Sequence, residues 1–207
     1  MEQTQAEALV EFSTSTVRTN DKDFAKLAKE NFGETDENRG EKIQAFREKL
    51  TSSFPELLKG IPGIEDDFLL KFLRAGAFDV DRSVHLMKNY VDMIKSGPQY
   101  FAPAFDDDHE TIFARFQSQN FIILPSRDKF RRRVFIWRPG MWDPEKITLG
   151  DYYSCGYMLF EMISVEEQSQ IAGLTIICDA TDFGFKQLRN ISISDHKFFA
   201  MFVQASS

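Results

Sequence analysis

A chain of 207 residues is long enough for one good core, or for one domain with a small helical part beside it. A formal net charge of -7 and a pI near 5.1 argue against a nucleic-acid binder, so any anionic partner must be met locally. Cys155 and Cys178 both lie in apolar segments without metal-ligand spacing, which predicts two buried thiols; the polar start and the lack of a membrane-length apolar run predict a soluble, cytoplasmic chain.

Residues 1–20 are rich in Thr, Ser, Glu and Gln and read as a tail. Phe24, Leu27 and Ala28 suggest a first helix stopped at Gly33, and Ile43, Phe46 and Leu50 form one stripe of a second. A third carries Phe68, Leu69, Phe72 and Leu73 and breaks at Gly76. Asp79 caps a fourth that buries Val84, Met87, Tyr90, Val91 and Ile94 before Gly97 and Pro98. The expectation is an all-helical module over residues 21–97, a linker over 98–108, and a second domain over 109–207.

That second part begins with two strand candidates, Phe121 to Leu124 and Val134 to Arg138, around a turn holding Arg127, Lys129, Arg131, Arg132 and Arg133. This basic patch could meet phosphate headgroups, or it could be a solvated hairpin tip. Thr148, with Asp151 three residues on, caps a helix from Tyr152 to Val165 whose apolar residues run all the way round. Both of its sides must therefore be covered, either by another helix or a partner, or by an apolar ligand.

Leu174 to Cys178 is a short apolar run bounded by Gly173 and Asp179, and it predicts a central strand buried on both faces. Asp179, Thr181 and Asp182 follow, as site residues or, on the reading favoured here, as turn residues and caps. Ser192 and Asp195 start a last helix bearing Phe198, Phe199, Phe202 and Val203. With three strand candidates and no stop signal before Ser207, the sheet looks unfinished.

Signatures of chemistry are not found: no glycine-rich phosphate loop, no nucleophile elbow, and His85, His109 and His196 stand apart. The expectation is a binding protein with no catalytic residue, no metal and no cofactor.

The residues then become recognisable. Phe68-Leu-Leu-Lys-Phe-Leu-Arg-Ala-Gly-Ala-Phe-Asp-Val-Asp81, continuing through Leu86 to Tyr90, resembles the helical N-terminal part of the CRAL-TRIO (SEC14-like) lipid-binding proteins. Trp142-Asp-Pro144 before a helix, and Gly173 to Asp179, resemble the lipid-binding domain of the same family, nearest its tocopherol-transfer branch. The resemblance implies an α/β fold in which a small all-helical N-terminal module precedes a CRAL-TRIO lipid-binding domain, here truncated before its gate helix. It implies a carrier of one small hydrophobic ligand, tocopherol-, retinoid-, carotenoid- or phospholipid-like, with possible docking on an anionic phosphoinositide membrane.

The expected ligand-binding residues are Tyr153, Gly156, Tyr157, Phe160, Leu174, Ile176, Cys178, Ile191, Phe199, Phe202 and Val203. Gly156 and Phe160 stand where the tocopherol-transfer branch has two small serines, which implies a greasier pocket, with Gly156 opening a shallow space. Headgroup contact falls to Lys129, Arg131, Arg132 and Arg133, because the branch's own basic residues lie mostly beyond Ser207, and the one expected two positions after Arg74 is Gly76. The rival expectation is a regulatory module that pairs an exposed apolar surface with a protein or a membrane.

Overall fold

The computed structural model describes residues 21–55, 65–97 and 120–198. The expected tail, the linker and the turn at Gly60, Pro62 and Gly63 lie outside these residues. Four helices come first: α1 (Lys22–Phe32), α2 (Asp36–Ser53), α3 (Asp66–Ala75) and α4 (Val80–Ser96). Their ends follow local chemistry. Gly33 closes α1 in the left-handed conformation (φ 70°), donating its N–H to the Lys29 carbonyl at 2.9 Å. Thr35 and Asn38 form a reciprocal cap on α2 at 2.9 and 3.3 Å, and the Asp79 carboxylate accepts from the Arg82 N–H at 2.8 Å to open α4.

Helices α2, α3 and α4 pack around Phe46, Leu50, Leu69, Leu73 and Met87, all essentially without solvent contact. The turn between α3 and α4 is tight. A Cβ on Gly76 would lie 2.3 Å from the Ser83 Oγ and 3.1 Å from its backbone nitrogen, so a side chain there requires the Ser83 hydroxyl to move aside. Helix α1 adds little to this core: Phe24 and Ala28 pack instead on Ile171 of the α/β part.

That part runs β1 (Phe121–Ile123), β2 (Arg133–Trp137), a 3₁₀ turn at Pro139–Met141, α5 (Leu149–Ser164), α6 (Glu167–Ala172), β3 (Leu174–Cys178) and α7 (Phe185–Leu188), and residues 193–198 are again helical. The strands lie in the order β1-β2-β3. β1 and β2 form the expected antiparallel hairpin, with Ile123 opposite Phe135, and β3 joins β2 in parallel, with Ile176 beside Phe135 and Cys178 beside Trp137. The α5–α6 pair is the crossover that a parallel connection requires.

One expectation is overturned. β3 is not a central strand buried on both faces: among the described residues it is the edge of the sheet, with Ile176 53% and Ile177 47% exposed on opposite faces. Its apolar run matches that of a fully covered strand, but α5 lies over β2 and reaches only Leu174 of β3, leaving Ile176 to Cys178 exposed. Cys178 shares this exposure, so only Cys155 is a buried thiol.

Candidate functional site

The site grows out of α5. Thr148 accepts from the Asp151 N–H at 3.1 Å, as the cap signal predicts, and the helix then lies across the hairpin. Tyr152, Gly156 and Phe160, four residues apart, share the sheet side. The Tyr152 and Phe160 rings stand 4.9 and 4.8 Å from those of Phe121 and Phe135. Trp137 Nε1 donates to the Tyr152 hydroxyl at 2.5 Å. Gly156 opens no space for a ligand here, because a Cβ on it would meet the Phe121 ring at 3.1 Å.

The other side of α5 faces the helical part. Tyr157 packs with Met93 and Phe198, and Tyr153 packs at the edge of that cluster. Of the covers expected for the second face, a helix is present, α4. A cavity of about 270 Å³ lies between α3 and α4 (Phe72, Leu86, Met93) and α5 and β3 (Phe160, Ile163, Leu174).

One edge of the cavity is polar. Lys71 Nζ lies 3.1 Å from Glu161 Oε2, and the Tyr90 hydroxyl donates to Glu161 Oε1 at 3.1 Å while standing 2.9 Å from the Tyr157 hydroxyl. Lys71 also sits over the rings of Phe68, Tyr90 and Phe72 at 4.6, 4.9 and 5.2 Å. Burial, reinforced by the Glu161 charge, pushes both tyrosine hydroxyls well above their ordinary range, so they remain protonated.

Beyond the cavity the apolar surface continues in the open. Leu174, Ile176 and Cys178 alternate onto the α5 side of β3, the side that Phe135 shares, and the exposed Ile176 and Cys178 extend this face past the end of the cover. Among the described residues, no group of three or more His, Cys, Asp or Glu side chains could hold a metal ion, and no helix is long and apolar enough to cross a membrane.

Residues 117–207 match the family model described as the CRAL/TRIO domain. This segment is similar to the CRAL/TRIO domain family. The chain is 28% identical over 181 residues to the human (Homo sapiens) alpha-tocopherol transfer protein-like protein, covering 87% of this chain and 49% of that one. The mouse (Mus musculus) protein of the same name is 27% identical over the same extent. Clavesin-1 of Xenopus laevis is 24% identical over 155 residues, 73% of this chain and 45% of the relative. The chain thus spans about half the length of the relatives it matches.

Within the matched segment the expected ligand residues divide. Phe160 and Leu174 line the cavity and, with Ile176 and Cys178, belong to the apolar face between α5 and β3. Tyr157 lines the cavity from the other side of α5. Tyr153 packs towards Phe198, and Ile191 is half-buried before the Ser192–Asp195 cap. Phe199, Phe202 and Val203 lie outside the described residues. Asp179 closes a turn by accepting the Thr181 N–H at 3.2 Å and pairs with Arg138 at 3.5 Å, in keeping with the turn reading of this segment.

The basic hairpin of the matched segment is largely neutralised within the protein. Arg133 is buried and gives two bonds to Glu166 (2.6 and 3.0 Å), which Arg127 joins at 2.8 Å. Arg131 reaches Asp23 and Asp21 at 2.5 and 3.2 Å, and Arg132 pairs with Asp128 at 2.7 Å. Asp128 is held down to about 2: partial desolvation opposes this, but the Arg132 side chain and the backbone N–H groups of Arg132 and Phe130 outweigh it. Lys129 lies over the ring of Phe130, which is 59% exposed at the tip.

Sequence reasoning missed the junction between the two parts. Arg74 of α3 bonds Glu34 (2.7 and 2.8 Å), Glu167 (2.9 Å) and Gln170 (2.6 Å), so α6 grips the helical part through a nearly fully buried guanidinium. These partners are 40 to 96 positions apart in sequence, and no local spacing announces them.

Proposed function

We propose that this chain binds a small hydrophobic ligand on the apolar surface between α5 and β3, as a carrier rather than as an enzyme. One observation carries the reading: the Leu174, Ile176 and Cys178 face runs uncovered from a cavity that Phe160 and Leu174 already line. A surface of this kind in an acidic protein costs free energy while it faces water, and an apolar molecule seated on it recovers that cost at about 25 cal/mol per Å² buried. The names of the human and mouse relatives, which refer to tocopherol transfer, agree in kind. Native mass spectrometry after gentle purification tests the reading. A retained apolar molecule supports it, whereas a protein-only oligomer favours the rival in which the same surface pairs with another chain.

A peripheral contact with anionic membranes is a second element of the proposal, and the exposed Phe130 beside Lys129 favours it. An aromatic ring flanked by cations suits the interface between headgroups and acyl chains.

A further inference from the structure

We propose that the cavity between the helical part and α5 is a head-group site that selects a neutral apolar alcohol over a carboxylate, with Lys71 and Glu161 as its specificity residues. This rests on the reading of the chain as a carrier of a hydrophobic ligand. The resemblance, through Gly156 and Phe160, implies a greasier pocket. The polar pair reaches it from elsewhere: Lys71 comes from α3, and Glu161 lies on the side of α5 turned towards the helical part.

Size comes first. At about 30 Å³ per water-sized unit, 270 Å³ holds roughly nine heavy atoms, which is a head and a short stretch of chain. The remainder of a longer ligand must continue past Leu174 onto the open Ile176 and Cys178 face. The cavity is therefore one end of the binding surface.

Charge decides what kind of head fits. The ammonium and the carboxylate stand 3.1 Å apart at the cavity wall, and together they are neutral. An ammonium has three donors and a carboxylate about four lone-pair sites, so the Lys71 to Glu161 contact, the Tyr90 bond and the longer Ser164 Oγ contact at 3.5 Å still leave a donor on Lys71 and a lone-pair site on Glu161. A hydroxyl can accept from Lys71 while donating to Glu161, and so it satisfies both. A ligand carboxylate can accept from Lys71 but has nothing to donate to Glu161, and it would bring a net negative charge to a wall that the ion pair alone leaves neutral. An alkane would desolvate both polar groups and return nothing.

The test is displacement of diphenylhexatriene, a probe with no polar group, by decanol, decanoate and undecane at neutral pH, for the unmodified chain and for Glu161→Gln and Lys71→Met. Decanol is expected to displace the probe from the unmodified chain at concentrations about tenfold below those of decanoate and undecane. Glu161→Gln removes the repelling charge and should close the gap between decanoate and decanol. Lys71→Met should bring decanol down to the level of undecane, with an unaltered circular dichroism spectrum as the check that the variant is folded. Decanoate binding the unmodified chain as well as decanol does overturns the head-group assignment by itself, without reference to the variants. So does an unaltered ratio in Glu161→Gln. Failure of the probe and of all three competitors to bind the unmodified chain would overturn the carrier reading as well.

Discussion

Arg74 and Glu34 meet at 2.7 Å with side chains only 2% and 1% exposed, and Glu167 reaches the same guanidinium from the α/β part. Two consecutive acids at the start of α6 thus hold different regions, Glu166 the hairpin through Arg133 and Glu167 the helical part through Arg74. Breaking a buried pair by removing one partner leaves an uncompensated charge, at a cost of about 3 to 5 kcal/mol. Arg39, 2.8 Å from Glu34, softens that loss. Arg74→Met should therefore destabilise the chain by about 3 kcal/mol, read from urea unfolding, with Glu34→Gln added to it recovering part of the deficit.

The same pair sets a response to acid. Burial alone would raise the Glu34 carboxyl, but hydrogen bonds and charge from Arg74 and then Arg39 prevail and hold it below its ordinary 4.5. A carboxyl whose folded value is depressed contributes stability that is complete above 4.5 and is lost as pH falls through the folded value. Unfolding curves collected on both sides of pH 4.5 should show Glu34→Gln less stable at neutral pH and less sensitive to acid below 4.5. Parallel pH profiles for the two proteins would contradict this assignment.

Phe160 serves both the core and the cavity, with its ring 4.8 Å from that of Phe135 and its side chain in the cavity wall. Phe160→Ser should cost about 2 kcal/mol, less than a fully buried phenylalanine because the residue is half-buried, and should change the ranking of apolar ligands. Gly156 separates packing from binding. Its neighbour is the Phe121 ring, so Gly156→Leu should destabilise by about 1 to 3 kcal/mol through overpacking. Gly156→Ala should come out near neutral, since the helix gains about what the ring must give. Denaturant titration of the three variants beside probe binding checks both statements.

Much of this architecture is legible in the sequence because it is written locally. Thr148 and Asp151, Asp79, Gly33 and the Ser192–Asp195 pair each mark a helix end through a contact within a few residues. The all-round apolar character of α5 correctly required a cover for its second face. What failed was long-range. The run from Leu174 to Cys178 looks the same in the centre of a sheet as at its edge, and only the position of α5 over β2 decides. Helix α6, Glu-Gln-Ser-Gln-Ile-Ala, shows no apolar periodicity, and it holds its place through Glu166, Glu167 and Ile171. The hairpin arginines read as a surface patch because their acids, Asp21, Asp23 and Glu166, come from other elements.

Membrane contact should depend on the hairpin tip rather than on all of its arginines. Lys129→Glu combined with Phe130→Ser should weaken binding to vesicles containing anionic lipid several-fold, and added salt should weaken the unmodified chain in the same direction. Arg133→Glu should instead lower stability, because it sets a second carboxylate against the buried Glu166. Cosedimentation and thermal unfolding of both variants distinguish the two effects. Vesicle binding that survives the tip substitution would mean that the hairpin does not touch the membrane.

The central claim is that an apolar ligand lies on the β3 face next to α5, and Cys178 reports on that place directly. Its thiol is exposed on the claimed surface, whereas Cys155 is buried. The measurement is the rate of maleimide labelling of Cys178, identified by mass spectrometry, as diphenylhexatriene is titrated into the native chain. The account predicts fast labelling of Cys178 alone in the ligand-free protein and a fall in rate that follows ligand occupancy; an unchanged rate at saturating ligand would contradict it.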